Sequence, residues 1–183
     1  DLHLVESNVK RISQIISSLL DFASNNIEKE TWKSIDLKNL VIHTSNLMLH
    51  LLEKAKIQLE FNFPNRPLSK IYGNVGEIEQ VFLNLLINAH QAMPEGGRID
   101  IKLLESKNLV ITKICDTGEG ISKENLPRIF EPFFTTRQNQ GGTGLGLSII
   151  SSIVKKHNSA VEVESMQGKG TTFILYFPIN RCD

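Results

Sequence analysis

Gly76-Glu-Ile-Glu-Gln-Val-Phe-Leu-Asn-Leu-Leu-Ile-Asn-Ala-His-Gln-Ala-Met93 carries the periodicity that decides how this chain folds. At about 100° per residue, Ile78, Val81, Phe82, Leu85, Leu86, Ala89, Ala92 and Met93 fall on one broad apolar face of a helix. Leu83 and Ile87 widen that face to one side. Glu77, Gln80, Asn84, Asn88 and Gln91 interrupt it as a narrow polar stripe at helical spacing. A helix this apolar is expected to be largely buried, and a buried amide without a partner costs roughly 1–3 kcal/mol. The stripe therefore either lines a polar cavity or faces water. In a cavity, an amide oxygen can serve a hard cation such as Mg²⁺.

The elements around this helix define an α+β chain. Upstream, Asp36 reads as an N-cap, with Leu37, Leu40, Val41, Thr44, Leu47, Met48, Leu51 and Leu52 on the apolar face of the helix it starts. Ile57 to Phe63 alternates as a half-buried strand, and a short strand near Lys70–Tyr72 leads into the striped helix. Downstream, Pro94-Glu-Gly-Gly97 ends that helix. Arg98–Glu105 and Leu109–Cys115 then read as an antiparallel hairpin turning at Ser106–Asn108. A second hairpin pairs Ala160–Ser165 with Thr171–Phe177, and a helix over about Gly144–His157 lies between the hairpins. The expected architecture is helices on one face of a mostly antiparallel sheet. At the other end of the chain, residues 2–24 place Val5, Ile12 and Leu19 on one heptad position and Asn8, Ile15 and Phe22 on the next. A single helix cannot bury such a stripe, so a bundle partner is expected, and a loop over Ser24–Ser34 separates this helix from the rest of the chain.

Composition narrows the class. With 183 residues, 40% hydrophobic and a formal net charge of zero, the chain suits one globular domain with an appendage. Balanced charge gives no nucleic-acid surface. Cys115 and Cys182 have no metal-ligand spacing and make no disulfide scaffold; Cys115, ending an apolar run, is expected as a buried free thiol. No apolar run approaches the roughly 20 residues that span a bilayer, and no signal-peptide pattern is present. A start at Asp1, in the middle of a helical pattern, is expected of a piece of a longer protein.

Two glycine-rich motifs carry chemistry. Asp116-Thr-Gly-Glu-Gly-Ile121 comes directly after a buried strand and sets a carboxylate beside close-approaching backbone, which suits a purine amino group. Taken alone, an acid-and-glycine turn is the commoner reading. Gly141-Gly-Thr-Gly-Leu-Gly-Leu-Ser148 opens a helix, and glycine backbone at a helix start is an anion cradle. It lacks the Lys-Ser or Lys-Thr of a P-loop and the βαβ setting of a dinucleotide fingerprint. Between the motifs, Phe130-Glu-Pro-Phe-Phe-Thr-Thr-Arg137 reads as an apolar latch on a lid, with Arg137 able to reach a phosphate.

In order, Asn84-Leu-Leu-Ile-Asn88-Ala, Asp116-x-Gly118-x-Gly120-Ile121, Glu131-Pro-Phe-Phe-Thr-Thr136 and Gly142-Thr-Gly-Leu-Gly-Leu-Ser-Ile149 resemble the N, G1, F and G2 boxes of two-component sensor histidine kinases. The Glu-Pro-Phe-Phe-Thr-Thr form resembles their nitrogen-regulation type. The match covers residues 74–178, and residues 2–24 resemble the second helix of the family's dimerisation domain. The resemblance implies a Bergerat-type two-layer α/β sandwich, a mixed sheet backed by three helices and preceded by one bundle helix. It divides the chain into residues 1–26, part of the dimerisation domain, and residues 27–183, the catalytic ATP-binding domain.

The same resemblance implies ATP and Mg²⁺ as ligands. Asn88 would hold Mg²⁺, with Asn84 and Gln91 nearby. Asp116 would take the adenine amino group, with Gly118, Gly120 and Ile121 shaping the base pocket. Arg137, Gly142, Thr143, Gly144, Leu145, Gly146 and Leu147 fall on the phosphate side. Either Thr171 or Thr172 would support the base. The implied partners are a second copy of the chain and a response regulator, in the cytoplasm, with no nucleic acid and no membrane contact by these residues. Three departures stand out. Asn74 replaces a frequent Asp, Gln91 replaces a frequent basic residue, and none of His3, His43, His50, His90 and His157 carries the acceptor-helix pattern. Each of these histidines reads as a surface or packing residue. The alternatives are a related superfamily ATPase, an anti-sigma-factor-type serine kinase, and a docking module without catalysis. An ATPase of this superfamily would carry Glu where Asn84 stands.

Overall fold

The computed structural model describes residues 31–138 and 142–179. The helix expected over residues 2–24 lies outside them. A five-stranded mixed sheet runs in the order β2-β4-β5-β7-β6, formed by β2 (Ile57–Asn62), β4 (Gly97–Ser106), β5 (Leu109–Asp116), β6 (Ala160–Met166) and β7 (Gly170–Pro178). Both expected hairpins are present, β4 with β5 and β6 with β7, and they join through antiparallel β5 and β7. Only β2, which pairs with β4, runs parallel to its neighbour.

Three helices cover one face: α1 (Leu37–Lys54), α2 (Val75–Gln91) and α3 (Gly146–Lys156). The period of two along each strand sends Ile99 and Ile101, Val110 and Ile114, and Phe173, Leu175 and Phe177 into one core with these helices. The central helix, α2, packs between α1 and α3, and Ile78, Val81, Phe82, Leu85, Leu86 and Ala89 are buried along it. Both α1 and α2 start on side-chain caps. Asp36 Oδ1 accepts from Asn39 N–H, and Asn74 Oδ1 accepts from Glu77 N–H, each at 3.1 Å. Asn74 thus performs the capping that an acidic residue would.

Three expectations change. The loop expected over Ser24–Ser34 gives way at Trp32 to a strand, β1 (Trp32–Ile35), which pairs antiparallel with β3 (Ile71–Asn74) in a separate ribbon. Leu47 and Leu51 on α1 are 61% and 43% exposed, and Ser45 is buried on the core side instead. The reason is coverage: α1 packs against α2 and β2 on one arc, and its other apolar flank stays exposed. Cys115 is a free thiol, but only partly buried, because its side chain lies on the sheet face away from the helices. A short 3₁₀ turn at Leu126–Arg128 completes the elements and had no signal in the residue pattern.

The ribbon is fixed to the helix ends by His157, a packing residue. Its ring stacks on Trp32 at 4.5 Å between centroids. Nε2 accepts the Asn74 N–H at 3.0 Å, and Nδ1 faces the Ile153 carbonyl at 2.8 Å. A carbonyl only accepts, so Nδ1 carries the proton. Beside it, the buried Glu77 carboxylate accepts from Lys156 Nζ at 2.8 Å. No helix among the described residues is long and apolar enough to cross a membrane.

Candidate functional site

The polar stripe of α2 forms one wall of a cavity of about 940 Å³. Gln80, Asn84, Asn88 and Gln91 all face it, whereas Glu77 turns to Lys156. The opposite wall comes from the loop after β5, the lid, the glycine segment before α3 and the start of β7. Asp116, Gly120, Ile121, Arg137, Gly142, Thr143, Gly144, Leu145, Gly146, Leu147 and Thr171 line it. Gly118 and Thr172 do not. Gly118 packs behind Asp116 against Ala92, and Thr172 points to the other face of the sheet, one residue out of phase with Thr171. Phe134 of the Phe130–Arg137 motif also lines the cavity, and so do Glu119 and Phe173, which had not been singled out. The even spacing from Asp116 back along β5, and from Phe173 to Thr171 on β7, is the signal that places these side chains on one face.

At one end sits Asp116, the last residue of β5 and 9% exposed. Its Oδ1 accepts N–H bonds from Gly118 at 2.9 Å and Thr171 at 3.2 Å, which leaves Oδ2 open. Burial raises its pKa above the ordinary carboxylate value. The two N–H bonds and the Arg137 guanidinium oppose that rise, Glu119 adds to it, and burial dominates. Gly120 turns the chain at φ +67°, and a Cβ there would run into the Met166 carbonyl. Gly120→Ala is therefore expected to destabilise the domain by about 2 kcal/mol or more, read as a fall in Tm.

The other end is a helix start approached by glycine backbone. Leu145 precedes α3 without a side-chain cap, so the first-turn N–H groups of the helix have no side-chain partner. Asn84 Nδ2 donates to the Gly146 carbonyl at 3.4 Å, joining α2 to this helix start. Gly144, at φ +69°, lets the segment pass directly against Phe133, whose N–H donates to the Gly144 carbonyl at 2.9 Å. The lid phenylalanines divide. Phe130 and Phe134 pack on the core, with the Arg128 guanidinium over the Phe134 ring, whereas Phe133 is 62% exposed. Arg137 pairs with Glu119 across the cavity mouth.

Between the two ends lies Asn88, whose Nδ2 is buried without a hydrogen-bond partner. Nδ2 is a donor, so what would complete it is an acceptor such as a phosphate oxygen, and any cation would belong to Oδ1 of the same amide. Among the described residues no group of three or more His, Cys, Asp or Glu could hold a metal on its own. An amide oxygen in a cavity of this kind fits a hard cation that takes its remaining oxygens from a polyphosphate and water.

Known proteins share this fold and sequence pattern. The family described as histidine kinase-, DNA gyrase B-, and HSP90-like ATPase matches residues 73–181. Sensor histidine kinase ZraS of Escherichia coli (strain K12) is 35% identical over 170 residues, covering 93% of this chain and 36% of that protein. The catalytic domain of histidine kinase ThkA, solved nucleotide-free, is 30% identical with a TM-score of 0.73, over 82% of this chain and 99% of that one. Full-length ShkA, solved in complex with AMPPNP, is 26% identical with a TM-score of 0.74, over 84% of this chain and 32% of that one. The chain belongs to the histidine kinase-, DNA gyrase B-, and HSP90-like ATPases and, within them, to the catalytic ATP-binding domains of sensor histidine kinases. It spans about a third of the length of curated relatives such as ZraS. The relatives do not separate the nitrogen-regulation type from other sensor kinases.

Proposed function

We propose that residues 27–183 bind MgATP and transfer its γ-phosphoryl group to a histidine of a dimerisation helix, from which a response regulator takes it on an aspartate. The observation that carries this reading is one cavity with the open oxygen of Asp116 at one end, an uncapped helix start at the other, and the orphaned Asn88 amide between them. In this reading residues 1–26 belong to the dimerisation domain, through which two copies pair, and the catalytic domain works in the cytoplasm.

Each residue then has a task. The Asp116 carboxylate takes the amino group of the base, and its two N–H contacts hold it in place for that. Gly142 and Gly144 bring backbone close to the triphosphate, and the N–H groups opening α3 meet its charge. Arg137, exchanging Glu119 for phosphate oxygens, adds a fixed positive charge. The Asn88 side chain, with Asn84 and Gln91 beside it, would hold Mg²⁺, which when bound neutralises charge on the transferring phosphoryl group. The protein's contribution is thus positioning and electrostatics. Asn84 has no carboxylate with which to activate water and is engaged with the Gly146 carbonyl. That favours transfer to a histidine over hydrolysis.

The experiment is radiolabelled transfer. With MgATP and a separate protein carrying dimerisation helices with an acceptor histidine, the label should appear on that histidine. The chain alone should bind nucleotide without labelling itself. Robust labelling of His3, His43, His50, His90 or His157 would overturn the assignment.

A further inference from the structure

Behind the base end of the cavity lies Ser165, at the end of β6. It does not line the cavity, yet its hydroxyl meets three groups that shape it. Ser165 Oγ accepts the Ile121 N–H at 2.8 Å, lies 2.9 Å from the Gly170 carbonyl, and lies 2.9 Å from Thr171 Oγ1. The proton count on this oxygen is closed. A carbonyl can only accept, so the single Ser165 proton goes to Gly170. The Thr171 hydroxyl must then donate to Ser165, because otherwise two oxygens would face each other at 2.9 Å with no proton between them.

We propose that Ser165 is a positioning residue for base selection: it takes the Thr171 proton and so leaves Thr171 an acceptor only toward the cavity. Asp116 is already an acceptor there, with Oδ1 bound to the Gly118 and Thr171 N–H groups and Oδ2 open. The base end therefore offers lone pairs and no side-chain proton. A 6-amino purine brings donors to it. A 6-oxo purine offers its N1–H there but sets a carbonyl oxygen, in place of the amino group, against acceptors, and unpaired buried polar groups of this kind are what make such sites discriminate. Ser165 thus sharpens a preference that Asp116 alone would leave incomplete. This inference rests on the nucleotide reading of the cavity.

The test is the ratio of affinities for ADP and inosine diphosphate, both with Mg²⁺, measured by calorimetry on the full chain. In Ser165→Ala the Thr171 hydroxyl is free to turn and donate to a 6-oxo group. The preference for ADP should fall about tenfold, and Ser165→Thr, which keeps the hydroxyl, should restore it. If Ser165 serves packing alone, both affinities fall together and the ratio stays put, which overturns the proposal. Thr171→Val reads the same hydroxyl without touching Ser165. It too should lower the preference, and an unchanged ratio in that variant overturns the proposal even if Ser165→Ala does not fold. Wild-type chain that binds neither nucleotide would instead overturn the nucleotide reading itself.

Discussion

Asn88→Ala is expected to abolish Mg²⁺-dependent nucleotide binding while leaving the domain as stable as before or slightly more so. The two effects separate because of where Asn88 sits. Its Nδ2 is buried without a partner, so the fold loses no hydrogen bond from that atom when the amide goes and sheds a desolvated group worth roughly 1 kcal/mol. The metal loses the amide oxygen proposed to hold it, and no cluster of three or more His, Cys, Asp or Glu stands in for it among the described residues. Removing even an outer-shell partner of a metal ligand weakens metal binding by about 10–100-fold, so loss of the ligand itself should cost about 100-fold or more. Calorimetry with ATP, with and without Mg²⁺, together with a thermal melt, measures both quantities. A variant that binds MgATP as wild type does would remove Asn88 from the metal site.

The second large effect belongs to Asp116. In Asp116→Ala the acceptor for the base disappears, and the Gly118 and Thr171 N–H groups lose their common partner. Hydrogen bonds to a charged group contribute about 1.5–3 kcal/mol each, so a fall in affinity of about 100-fold is expected. The pH dependence comes from the raised pKa. In the free domain, burial makes Asp116 take up a proton more readily than in the unfolded chain. Its contribution to stability is therefore fully present below the unfolded pKa and is lost as pH rises through the folded one. Nucleotide affinity runs the other way. The amino group of the base binds the ionised carboxylate, so affinity should drop as pH is lowered through that raised pKa. Asp116→Asn, which keeps an oxygen for the two N–H groups, should flatten the profile. An unchanged profile in Asp116→Asn would assign the pH dependence to another group.

Much of this was legible in the residues. The α2 stripe announced a buried helix with one polar edge, since a period near 3.6 survives whatever packs against it. The hairpins were legible from alternation and turns. What escaped was decided by contacts between distant segments. Trp32–Ile35 is too short to alternate visibly, and it is a strand because Ile71–Asn74 lies beside it. The apolar pattern of α1 showed a wide face, but not that Leu47 and Leu51 lie beyond the arc its neighbours cover. At the site, the roles of Thr171 and Thr172 were separable in principle. Phe173, Leu175 and Phe177 point to the core, so Thr171 shares their face and Thr172 cannot. The Ser165 and His157 networks carried no local signal at all, because their partners come from separate strands and helices.

The Asp116 end of the cavity is made by docking one hairpin on another, with Asp116 and Thr171 separated by 55 positions in the chain. Each hairpin closes locally, whereas that docking requires a long intervening stretch to be looped out, a kind of contact that slows folding. The entropy of closing such a loop grows only with the logarithm of its length, about 0.6 kcal/mol for each doubling. Extra residues inserted between the two hairpins should therefore slow folding and lower stability only slightly. The stretch between the hairpins is free to lengthen or shorten without dismantling the cavity floor they form.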